Sequence, residues 1–165
     1  MKNFIVTISI LGVLAILVTF QGDMNKLIRE SNYLQELSNE MSMVISKKID
    51  IEKYGEGDIC FLEKEAKSVI EMLAENINNK YWTGGAEINV SLVSEDDYNT
   101  LEKIIMNKDK TLTEHINQPN KLNVTSPTVE TIIEAYSPNF SLSFLKNINL
   151  KVCKKSTTEY QGHST

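Results

Sequence analysis

Seventeen consecutive positions, Phe4 to Phe20, carry no charged side chain, and no other feature restricts so strongly what this chain can fold into. Twelve of them are Ile, Leu, Val or Phe; Gly12, Ala15 and the hydroxyl residues Thr7, Ser9 and Thr19 fill the rest. A helix of that length rises about 25 Å at ~1.5 Å per residue. Asn3, Gln21 and Gly22 extend it toward the headgroups of a bilayer whose hydrocarbon core is about 30 Å thick. At roughly −0.3 to −0.6 kcal/mol for each apolar residue, insertion gains about 4 to 7 kcal/mol, enough to outweigh the glycine and the hydroxyls. The run therefore predicts a transmembrane anchor over residues 1–22, contacting lipid through residues 4–20.

A cleaved secretory signal and a buried core helix are the competing readings. The exit Val18-Thr19-Phe20-Gln21-Gly22 places bulky or polar residues where a signal peptidase needs small ones. A helix apolar all round needs a large protein to bury it, and the remainder of the chain is too polar to provide one. Lys2 on one side and Lys26 and Arg29 on the other leave little charge asymmetry to set orientation. A very short N-terminus followed by a span and a domain predicts a signal-anchor in the cell membrane, single-pass, with the C-terminal domain extracytoplasmic.

Residues 23–53 keep helical chemistry without proline. Leu27, Tyr33, Leu34, Leu37, Met41, Val44, Ile45 and Ile49 recur at three- and four-residue steps and predict an amphipathic stalk helix continuous with the anchor, ending near Lys53. The glycines of Tyr54-Gly55-Glu56-Gly57-Asp58 break it, and Asp58 is the expected cap of a second helix over Ile59 to Asn78. Ala86 to Val93 alternates as a half-buried strand does. Ser94 with Glu95, Asp96 and Asp97 resembles a helix start, and Leu101, Ile104 and Ile105 predict a short helix there. The acidic trio is expected to cap that helix and not to hold calcium, since it lacks the glycine and distal glutamate of a loop site.

The polar stretch from Asn107 to Pro127 is expected to be a loop. Thr128 to Tyr136 and Ile148 to Tyr160 predict strands, and Phe140 to Phe144 a third. Residues 54–160 thus read as a small α+β head with a mostly antiparallel sheet, and 161–165 as a loose tail.

Composition narrows the chemistry. The net charge of −5, from 17 basic and 22 acidic residues that are interspersed, gives no basic patch for nucleic acid. Cys60 and Cys153 lie far apart in sequence; separate thiols and one long-range disulfide both remain open. His115 and His163 stand apart from any ligand-spaced cysteine or carboxylate. No phosphate-binding glycine loop, zinc-protease helix or nucleophile elbow occurs, so no catalytic, cofactor-binding or metal residue is nominated and a non-catalytic protein is expected. Tyr81-Trp82 is expected to pack at a helix end. The sequons at Asn89, Asn123 and Asn139 are expected by chance in so asparagine-rich a chain.

A short N-terminus, an apolar helix running into an amphipathic one, and a small head with a late β pair ending in KVCKKSTTEY together resemble the minor pilin-like proteins of tight adherence (Tad/Flp) pilus systems and small single-span relatives in AT-rich Gram-positive bacteria. The resemblance is one of layout. Type IV pilins place a glycine before the span and a glutamate five residues beyond it, whereas here Met1-Lys2-Asn3 precedes an acid-free run. It implies a membrane-anchored structural or assembly component, with protein partners or self-association through the anchor and stalk. Gly12 and Ala15 offer a narrow surface for close helix approach. The alternative is a membrane-tethered binding or sensing module at the cell surface.

Overall fold

A single helix, α1 (Lys2–Ile45), runs through both the apolar run and the amphipathic segment in the computed structural model, which describes residues 2–94, 100–107, 110–116 and 127–160. Its 44 residues rise about 66 Å, and its two halves have opposite surroundings. The first half is exposed on all sides. In the second, Leu34, Leu37, Met41 and Ile45 are buried, the three- and four-residue rhythm that puts one face against a partner. Tyr33, expected on that face, is 40% exposed, and Ser38 and Ser42 share the buried stripe instead.

The partner surface is an antiparallel sheet of five strands, β1 (Ala86–Val93), β2 (Thr100–Asn107), β3 (Lys110–His115), β4 (Thr128–Tyr136) and β5 (Lys151–Glu159), in the order β3-β2-β1-β4-β5. The inner rows Ile88-Val90-Leu92 and Val129-Thr131-Ile133-Ala135 are buried or nearly so, alternating with half-buried outer residues. α1 lies on β4 and β5. Small hydroxyl side chains let it approach closely: the Ser38 hydroxyl donates to the Thr131 carbonyl at 3.0 Å, and the Ser42 hydroxyl lies 2.9 Å from that of Ser156 and 2.8 Å from that of Thr158. Beside α1, α3 (Glu63–Ala74) turns Ala66, Ile70 and Leu73 into the same core.

Several sequence expectations are corrected. α1 stops at Ile45, not near Lys53, because Asp50 caps a separate short helix, α2 (Ile51–Gly55), accepting the amides of Glu52 and Lys53. Ile49 and Phe61 bridge across that turn. α3 starts at Glu63, after Leu62 and not at Asp58, and ends at Ala74. Thr100–Asn107 is a strand, not a helix: Val90 pairs with Ile104 and Ile88 with Met106, and a register shift opposite Val93 disturbs the alternation at its start. Part of the expected loop is β3. The expected strand at Phe140–Phe144 is a bend leading into α4 (Ser143–Lys146). Glu95, Asp96, Asp97, Asn123 and the 161–165 tail with His163 lie outside the described residues.

Gly84 marks one tight approach. A Cβ there would sit 2.8 Å from the Cβ of Tyr136, so only glycine lets the turn before β1 close against the end of β4.

Candidate membrane anchor and its collar

The exposed half of α1 is long and apolar enough to cross a membrane. Its most apolar 18 residues have a mean hydropathy of 2.4 and none of that window is buried. Twelve large apolar side chains from Phe4 to Phe20 are exposed, from 69% at Phe4 and Val18 to 39% at Phe20, a patch far larger than a water-soluble surface normally carries. The only side-chain polar groups within the run are already satisfied. The hydroxyls of Thr7, Ser9 and Thr19 each donate to the carbonyl four residues back, at 2.9 Å, which removes the cost of placing them in hydrocarbon.

A collar closes around α1 three residues after Phe20. Asp23 is only 4% exposed, and its carboxylate accepts the Ser141 amide at 3.0 Å to each oxygen and the Leu142 amide at 3.1 Å. Burial alone raises the Asp23 pKa; the two amides and the Lys26 ammonium more than reverse it, so the carboxyl sits below the usual aspartate range. Tyr81 and Trp82 pack edge to face with centroids 5.0 Å apart, each 1% exposed; they belong to the core as expected, but sit in the turn before β1 and not at the end of α3, which stops at Ala74. The Lys26 ammonium sits 4.9 Å from the Tyr81 ring centre. The Tyr81 carbonyl accepts the Asn139 amide at 2.7 Å, and Trp82 bridges to Pro138. The Tyr81 hydroxyl has no hydrogen-bond partner among the described residues, and its pKa is pushed up to about 12, by burial first and then by the charges of Glu30 and Asp23.

One further cluster gathers ionisable groups at the opposite end of the head. Glu102, on β2, is 1% exposed. One of its oxygens accepts the Phe61 amide at 2.6 Å; the other lies 3.5 Å from His115 Nδ1 on the neighbouring β3. Burial raises the Glu102 pKa against the lowering effects of the Phe61 amide and His115. A cavity of about 420 Å³ beside it is lined by Asp50, Lys53, Cys60, Glu63 and His115. Burial also pushes the Cys60 thiol up, outweighing Lys53, so the thiol is held protonated and is a poor nucleophile or ligand.

No group of three His, Cys, Asp or Glu suited to a metal ion occurs among the described residues. The Glu102–His115 pairing is not legible in the sequence, because it depends on β2 and β3 lying side by side where the local pattern predicts a helix and a loop. Cys60 and Cys153 do not pair: Cys60 is buried and Cys153 exposed on β5. No protein-family model, curated protein or solved structure matches the chain.

Proposed function

We propose that this chain is a single-pass membrane-anchored protein, held in the bilayer through residues 4–20, whose head works as a non-catalytic structural or assembly component of a pilus-like or secretion apparatus, with the head extracytoplasmic. One observation carries the reading. The lipid-compatible half of α1 is continuous with a half locked onto β4 and β5, so a load or contact on either end is transmitted through one unbroken helix. The layout likeness to minor pilin-like proteins supports the assembly role, and the Gly12 and Ala15 surface, open to solvent on the isolated chain, supplies a place for a second helix to approach.

The test is disulfide trapping in membranes with Gly12→Cys in a Cys153→Ser background. A covalent dimer or a defined adduct is expected. A chain that stays monomeric in detergent, with no adduct recovered from cells, contradicts the assembly role while leaving the anchor standing.

A groove of about 510 Å³ between α3 and the β1–β2 pair, lined by Glu71, Ala74, Ile77, Ile88 and Met106 among others, favours a second reading, a tethered binding or sensing module. Ligand-dependent thermal stabilisation of the full chain, lost on Ala74→Arg, distinguishes the two.

A further inference from the structure

The segment that Asp23 grips carries exposed apolar side chains next to the anchor. We infer that α4 and its flanks form a second membrane contact, in which Phe144 enters the headgroup layer beside α1 and fixes the tilt of the head; this rests on the anchor reading above.

Geometry supplies the placement. Asp23 lies three residues beyond Phe20, about 4.5 Å along the axis, and the polar layer on each side of the hydrocarbon is roughly 5 to 8 Å deep. Asp23 and whatever it binds therefore sit within that layer when residues 4–20 occupy the core. What it binds is the backbone of Ser141 and Leu142, two or three residues from Phe144. Phe144 is 59% exposed and Ile148 46%, while Leu145 between them is buried in the head. An aromatic ring half out of the protein at this depth is in the zone that amphipathic and aromatic side chains favour.

Charge agrees with apolarity. Exposed Lys26, Lys80 and Lys146 surround the collar, with Lys80 placed there by the Asn139 amide nitrogen donating to its carbonyl. The acids nearby are engaged: Asp23 by two amides, and Glu30 by Asn78 and Arg29. Both carboxylates keep their negative charge, yet Lys26, Arg29, Lys80 and Lys146 outnumber them, so the ring is net positive toward a surface of anionic headgroups.

The experiment uses the full chain in vesicles of phosphatidylcholine and phosphatidylglycerol, with single labels of an environment-sensitive fluorophore at Phe144→Cys, Gly12→Cys and Ile51→Cys, all in a Cys153→Ser background. Buried Cys60 stays unlabelled, and Cys153→Ser alone is the blank. Nitroxide-bearing lipids are the quencher. Ile51 follows the end of α1, which stands about 33 Å from Asp23, and it is the distal control.

Loss of most of the emission at positions 144 and 12 with none at 51 is the expected result. Quenching at 12 but not at 144 overturns the second contact and leaves the anchor intact. Quenching at 51 equal to that at 144 also overturns it, since the head then lies along the surface. No quenching at 12 removes the anchor reading and this inference with it.

Discussion

Removing the Asp23 carboxylate tests whether the collar is held by charge. The side chain accepts two backbone amides, with three contacts of 3.0 to 3.1 Å, from a position 4% exposed. A hydrogen bond to a charged acceptor contributes about 1.5 to 3 kcal/mol; the donors belong to residues that remain partly exposed, so about 1 to 1.5 kcal/mol each is appropriate. Asp23→Ala is therefore expected to cost about 2 to 3 kcal/mol, and Asp23→Asn, which keeps an acceptor and loses the charge, about half of that.

The folded pKa of Asp23 lies below its unfolded value. The stabilisation is thus fully present above the unfolded value, about 3.9, and is lost as pH falls through the lowered folded value. Urea unfolding of the detergent-solubilised chain, followed by fluorescence of Trp82, the one tryptophan, measures this directly, because Trp82 is buried in the collar itself. A cost below about 0.5 kcal/mol at pH 7, the size of a neutral surface substitution, refutes the reasoning. So does a wild-type advantage that stays constant as the solution is acidified.

Ser42→Leu forces a larger side chain into the α1–sheet contact and strands the hydroxyls of Ser156 and Thr158; a loss of about 1 to 3 kcal/mol by denaturant titration is expected. Glu102 has a folded pKa above its unfolded one, so its own contribution to stability is fully present below the unfolded value and is lost as pH rises through the folded one. Glu102→Gln is expected to flatten that decline and to raise the midpoint of unfolding at pH 7. Of the two thiols, exposed Cys153 is expected to react rapidly with a maleimide in the native protein, and buried Cys60 only on unfolding; mass spectrometry of the adducts counts them.

The apolar run, the stripe of α1, and strands β1 and β4 were legible because each has one dominant period. Val129, Thr131, Ile133 and Ala135 alternate without interruption, as a strand buried on one face must. β2 was not legible. Its apolar residues Leu101, Ile104 and Ile105 mimic helical spacing, and its inner row contains Glu102, whose burial is permitted by the Phe61 amide, a contact 41 residues distant in sequence. Pairing with β1 overrode the local signal. Phe140 to Phe144 alternates as a strand does, yet the amides of Ser141 and Leu142 go to Asp23 and are not available to a ladder. The collar itself was hidden for the same reason: an isolated aspartate after an apolar run reads as a helix cap or a boundary charge, and only the fold brings residue 141 back to residue 23.

Alkaline extraction of membranes from cells producing the full chain, with mass spectrometry of the retained polypeptide, tests the anchor most directly. The protein is expected to remain with the lipid and to yield peptides from residues 1–22. Release into the soluble fraction, or a mature chain beginning beyond Gln21, contradicts it.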